Sequence, residues 1–242
     1  MKRFAGAPHL IREPRAPHEV LRDYPTYTVP EAALILAMSR TTLHRWVANH
    51  PFFVVSGNDA PQRLLSFKDL AQLYFLKFLR RQAHLSDTQA RIVLDYAKQA
   101  TGSRYPLLDE NIKAWRHHAV WTRGSKDNRI ALELFKPQGQ YIFQHTVDMF
   151  ASRIDRDRRG SLLRLYPWRL WTEGDVRRPV LIDPNILSGR PVITGTRIPI
   201  IVVAARRKKG ETISGIAQDY GISQRRITES LRHLHLGLRK AA

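Results

Sequence analysis

The sequence predicts a mainly α protein with small β elements, an α+β chain, on three observations. Two helix-turn-helix patterns lie near opposite ends, at YTVPEAALILAMSRTTLHRWVANHP and at ETISGIAQDYGISQRRITESLRHL. Helices open on hydroxyl residues followed three positions later by an acid, as in Thr28 with Glu31 and Ser66 with Asp69; this spacing lets each side chain satisfy the other's free backbone N–H. Turn dipeptides such as Asp183–Pro184, Ser188–Gly189 and Thr194–Gly195 separate short β-branched runs, which suits brief strands.

In chain order, residues 1–25 hold four prolines and scattered arginines without a period, and read as a flexible basic arm. The first folded unit is expected over residues 26–101. Its first helix buries Ala32, Ala33, Ile35 and Leu36, Ala37–Met38 makes the turn, and Ser39 caps a second helix with Leu43, Trp46 and Val47 inward. The rest of that helix offers Arg40, Thr41, His44 and Arg45, which with Ser39 and Thr42 form the candidate DNA-reading surface. Arg can read guanine, and Thr or His can hold phosphate. The segment FFVVSGNDAPQRLLSF reads as two strands around a polar tip, a wing in which Arg63 could reach phosphate or the minor groove. Residues 86–101 form another capped helix, with Ile92, Val93, Tyr96 and Ala97 on one side.

Residues 102–175 form a mixed α/β middle segment. ALELFKP and QYIFQ suggest a hairpin around Gln138–Gly139, VDMFASRID a helix, and SLLRLYPWRLW a strand. Its aromatics, among them Trp115, Trp121, Tyr166, Trp168 and Trp171, suit packing between the end units better than stacking on bases. The last unit, residues 176–242, joins strand-and-turn structure to the second helix pair. There Thr212 caps one helix, Gly221 takes a left-handed turn, and Ser223 caps a helix with Ile227, Leu231 and Leu234 inward. Gln224, Arg225 and Arg226 at its start are further candidate DNA contacts. The run Arg206–Lys209 reads as a solvated helix end.

Composition narrows the function. The 242 residues carry 40 Lys+Arg against 21 Asp+Glu, a formal charge of +19, with an ordinary 43% hydrophobic content. A folded chain of that charge points to a polyanion, because neutralising phosphates releases counterions. Cysteine is absent, which excludes disulfides, thiolate metal sites and cysteine nucleophiles. No apolar run is long enough for a membrane span, and the start lacks the apolar centre of a secretory signal, so a cytoplasmic protein is expected.

The run PNILSGRPVITGTRIP, the basic stretch Arg206–Gly210 and the helix pair after it resemble the small C-terminal domain of bacterial VapB-class antitoxins. Gly189-x-Pro191 and Thr194-Gly195-Thr196-Arg197-Ile198 carry the resemblance, over residues 176–236. Helix-turn-helix, wing and following helix over residues 26–83 resemble the DNA-binding domain of the MerR class, although no sustained heptad provides that class's long coiled coil. The resemblance implies a MerR-like winged helix-turn-helix followed by a homeodomain-like helix-turn-helix domain. It also implies a DNA-binding antitoxin and transcriptional autorepressor, acting as a homodimer on double-stranded operator DNA and neutralising a PIN-domain ribonuclease toxin. Arginines Arg153, Arg156, Arg158 and Arg159 in RIDRDRRG, read as a polar loop, are the candidate toxin-binding group, since Arg pairs bidentately with carboxylates.

Two other readings stand beside this one: a transcription regulator without a toxin, and a metal-dependent nuclease or accessory subunit of a DNA-processing enzyme. For the latter, Glu133-x-x-Lys136 near Asp127 is the only trace, and two Mg²⁺-binding carboxylates need closer placement. His117–His118 project about 100° apart on a helix and make a poor metal pair; HExxH, GxSxG, Walker-type and GxGxxG motifs are absent. No catalytic residue, cofactor or metal is therefore expected.

Overall fold

The computed structural model describes residues 17–49, 64–109, 145–168, 170–172 and 175–241. Helix α1 (Pro17–Asp23) stands where the sequence suggests a flexible arm. Its cause is tertiary. Arg22 is 1% exposed and donates to Asp157 at 3.3 Å, and Asp23 pairs with Lys68 at 2.9 Å.

Strand β1 (Pro25–Thr28) leads into α2 (Val29–Leu36), whose start is the expected reciprocal cap: Thr28 Oγ1 accepts from Glu31 N, and Glu31 accepts from Thr28 N. A turn with Ala37 at φ 46 connects to α3 (Arg40–Asn49). Lys77 Nζ steadies that turn by donating to the carbonyls of Leu36 and Ala37. Strand β2 (Leu64–Ser66) pairs antiparallel with β1. The expected wing loop and Arg63 lie outside the described residues.

Ser66 and Asp69 cap α4 (Phe67–Gln82), the most buried helix of the N-terminal part. Leu70, Leu73, Phe75, Leu76 and Leu79 are all shielded from solvent, and each such side chain stabilises the fold by roughly 1.5–3 kcal/mol. Helix α5 (Asp87–Thr101) starts at a Ser86–Gln89 capping box and stops at Gly102, whose φ of 62 suits a residue without Cβ. Helix α6, residues 145–151, brings Phe150 edge-on to Phe75 with ring centroids 4.7 Å apart.

Strand β3 (Ile154–Arg156) and strand β4 (Leu162–Leu165) form an antiparallel hairpin where RIDRDRRG reads as a loop. Asp157 closes the turn by accepting from Arg159 N and Ser161 N, each at 2.9 Å. Leu165 then bridges to Ile182, tying the hairpin to the C-terminal unit. Two further pairs follow, β5 (Leu170–Thr172) with β6 (Asp175–Arg177), and β7 (Val180–Leu181) with β8 (Val192–Ile193). Three helices complete the described chain: α7 (Ile200–Lys208), α8 (Ile213–Tyr220) and α9 (Gln224–Ala241). Thr212 and Gly221 delimit α8 as expected. The expected hairpin at 131–143, with Trp115 and Trp121, lies outside the described residues.

The molecule is mainly helical with small antiparallel sheets. One core joins α2, α3, α4, α5 and the β3–β4 hairpin; a second joins Trp168, Val180 and Ile193 to α7, α8 and α9. Leu34 of α2 packs against the second core and α9 lies along α2, so the two ends of the chain are docked together.

Candidate nucleic-acid interface

Helix α3 is amphipathic. Leu43, Trp46 and Val47 are buried, while Arg40, Thr41, His44 and Arg45 are exposed, as the sequence pattern predicts. Ser39 and Thr42 are committed to the helix start: Ser39 Oγ accepts from Thr42 N at 3.1 Å and donates to Thr42 Oγ1 at 2.7 Å. Arg45 is tethered as well, by a bond to Asp87 at the first residue of α5. Asp87 also accepts from Trp46 Nε1 at 3.1 Å and pairs with Arg80 at 2.8 Å. The Arg80 guanidinium lies over the Trp46 ring, 5.0 Å from its centroid. Asp87 therefore orients α3 on α4 and α5, a role that its sequence position reveals only as a helix-start acid.

At the other helix pair each of the three candidate contacts has a partner within the protein. Arg226 donates to the carbonyl of Thr194, Arg225 pairs with Glu229 at 3.0 Å, and Gln224 donates to Ser214 at 3.3 Å. Arg226 links the Thr194–Gly195 turn to α9, which gives the Gly-Thr-Arg element a structural purpose. Arg206 is likewise no merely solvated helix end. It bonds Glu211 and Asp219 and covers Tyr220, and these bonds hold its guanidinium above the ordinary Arg range while Arg206 pulls the Glu211 carboxyl below its own.

The expected toxin-binding group divides. Arg153 is buried; its Nη1 donates to Tyr74 Oη at 2.9 Å and to Pro167 O at 3.4 Å, and it covers the Phe78 ring. It is a core residue that an incoming carboxylate could reach only if the core opened. Burial pushes the Tyr74 phenol above its usual value, partly offset by Arg153. Arg156 donates to Gly160 O at 2.6 Å inside the hairpin, and of the four only Arg158 and Arg159 are exposed. The nearby acids serve distant partners: Asp155 takes Arg178 and Tyr166, and Asp157 takes Arg22.

Tyr166 and Trp168 are buried, as packing aromatics should be. Where the ends of the chain meet, a cleft of about 650 Å³ opens beside Tyr27, Leu34, Trp168 and Ile200. Among the described residues no group of three His, Asp or Glu could hold a metal ion, and no helix is long and apolar enough to cross a membrane.

Three comparisons bear on this arrangement. Residues 180–233 match a family described as "Protein of unknown function (DUF433)". The chain is 28% identical over 237 residues to a Mycobacterium tuberculosis protein named "Putative antitoxin VapB45", covering 88% of this chain and 95% of that protein. The crystal structure of Rv2018 from Mycobacterium tuberculosis superposes with a TM-score of 0.66 at 24% identity, covering 86% of this chain and 98% of that one, so the two share a fold.

Proposed function

We propose that this chain is a DNA-binding antitoxin and transcriptional autorepressor, working as a cytoplasmic homodimer with no enzymatic activity of its own. In this reading it neutralises a PIN-domain ribonuclease. The observation that carries it is the similarity to an antitoxin-named protein along nearly the whole of both chains. The formal charge of +19 supports a polyanionic partner.

Residues 26–83 would act as a MerR-like winged helix, with Arg40, Thr41, His44 and Arg45 on α3 entering the major groove. Two such units in a dimer read half-sites about one helical turn apart, which one unit cannot do. The homeodomain-like C-terminal unit is assigned to architecture and self-association, because Arg226 is half-buried on the Thr194 turn and Ile201 and Val202 are exposed apolar residues of α7. For the toxin, the exposed Arg158 and Arg159, with Arg156 beside them, remain the inhibitory candidates on the hairpin turn.

Two measurements test the reading. The purified protein should shift duplex DNA from upstream of its own reading frame, and co-expression should rescue growth from the toxin encoded beside it. Failure to rescue from any adjacent PIN-domain toxin, with DNA binding retained, would favour a regulator without a toxin. Full rescue by Arg156→Ala, Arg158→Ala and Arg159→Ala combined would remove the hairpin turn as the inhibitory element.

A further inference from the structure

Between α3 and the C-terminal end of α4 lies a recess of about 460 Å³. Trp46, Met38 and Leu85 contribute its apolar wall, and Lys77, Arg80, Arg81 and His84 line the remainder. Two of these cations already have structural partners. Lys77 holds the α2–α3 turn, and Arg80 donates to Leu85 O at 3.0 Å and pairs with Asp87. Arg81 and His84 differ: both are exposed, and neither has a hydrogen-bond or ion-pair partner among the described residues.

The backbone contributes to this arrangement. His84 sits at φ 50, a left-handed conformation that is unfavourable for a residue with a Cβ. The bond from Leu85 N to Arg80 O at 3.0 Å closes the turn that holds it there. Asp87 is the carboxylate bonded to this cluster, and it is shared between Arg80 and Arg45. Three permanent cations and an imidazole against one divided acid leave the recess positive. Through Asp87 it also connects to Arg45 on the exposed face of α3.

We propose that this recess binds a phosphate group, with Arg81 and His84 as the direct donors and Lys77 and Arg80 supplying the positive field. Arginine's planar fork suits a phosphate oxygen pair, and an imidazole N–H adds a donor whether or not the ring is charged. The favoured source is a backbone phosphodiester of duplex DNA beside α3. That choice of source rests on the proposed DNA binding, whereas the phosphate chemistry does not. Such a contact positions the duplex without reading sequence.

The test uses the full chain in two titrations. Duplex DNA affinity is measured from 50 to 200 mM salt for wild type, for Arg81→Gln with His84→Gln, and for a charge-removal control at the exposed end of α7, Lys208→Gln with Lys209→Gln. The recess variant should bind all duplexes more weakly and alike, with its log–log salt slope reduced by about one, while the control keeps the wild-type slope. In parallel, inorganic phosphate replaces chloride at constant ionic strength while the His84 ring is followed by NMR. A saturable shift that Arg81→Gln abolishes and Arg81→Lys restores only in part supports the site.

A slope that falls in the recess variant and not in the control supports the DNA source, with or without saturation by inorganic phosphate. Saturable phosphate binding with an unchanged slope, or with no DNA binding by wild type, keeps the recess as a site for free phosphate and overturns the DNA source; the second of these also counts against the proposed DNA-binding function. Absence of both effects overturns the proposal, as does an equal fall in slope for the control without saturable phosphate binding.

Discussion

The phenol of Tyr27 donates a 2.8 Å hydrogen bond to the carbonyl of Gly189, across 162 residues of chain. Tyr27 is buried, and burial, reinforced by Glu31 and Asp183, pushes its phenol far above the ordinary value, so it remains a donor across neutral pH. Gly189 has φ +80, and a Cβ there would lie 2.1 Å from the Tyr27 oxygen. This contact binds β1 to the turn before β8, and it accounts for the glycine of the Gly-x-Pro element.

Tyr27→Phe is expected to cost about 1–3 kcal/mol, because it leaves the Gly189 carbonyl without its partner. Gly189→Ala should cost more, adding left-handed strain of about 1–2 kcal/mol to the clash. Since the clash is chiefly with the hydroxyl, the double variant should lose less than the sum of the single losses. Urea denaturation checks this, and additivity within about 0.5 kcal/mol would contradict the contact.

Arginines at the two helix pairs should respond differently to replacement. In gel-shift titrations at fixed salt, Arg40→Ala with Arg45→Ala should weaken operator binding, by about 1–3 kcal/mol for each base-reading arginine lost. Arg226→Gln should instead destabilise the C-terminal unit by roughly 1 kcal/mol through loss of the Thr194 bond, leaving the affinity of the folded protein unchanged. The reverse pattern would move DNA reading to α9.

Self-association is expected through α7. Ile201 and Val202 are 51% and 40% exposed while their neighbours Ile200 and Val203 are buried, so one apolar edge of this small unit is left open. Ile201→Asp with Val202→Asp should convert the dimer to monomer by light scattering, with the circular dichroism spectrum preserved. A fully dimeric variant would place the interface elsewhere.

Acid should loosen the attachment of α1. Burial acts to raise the Asp157 pKa, but the backbone N–H groups of Ser161 and Arg159, and then Arg22, outweigh it and hold the carboxyl below its ordinary value. A lowered folded-state pKa contributes stability above the unfolded value of about 3.9, and that contribution is lost as pH falls through the folded value. Asp157→Asn preserves the turn acceptor but leaves Arg22 buried and unpaired. It should cost about 2–3 kcal/mol at neutral pH, at or below the bottom of the roughly 3–5 kcal/mol range for broken buried pairs, because Asp157 is partly exposed. Its stability should also fall less than that of wild type below about pH 4, as followed by fluorescence-detected unfolding.

Short-range chemistry determined much of this protein. The Thr28–Glu31, Ser66–Asp69, Thr212 and Gly221 signals act within a helical turn of their own position, and each stands where the sequence placed it. The inward set of α3 followed from helical period alone, and so did the exposed set. Tertiary structure decided which charges are available. Arg153 entered a core, Arg22 found Asp157, Arg45 found Asp87 and Arg226 found Thr194. Local pattern sets a backbone through contacts a few residues apart, whereas the pairing of a long, flexible side chain depends on which distant element folding brings within 3 or 4 Å of it. No local period encodes that distance.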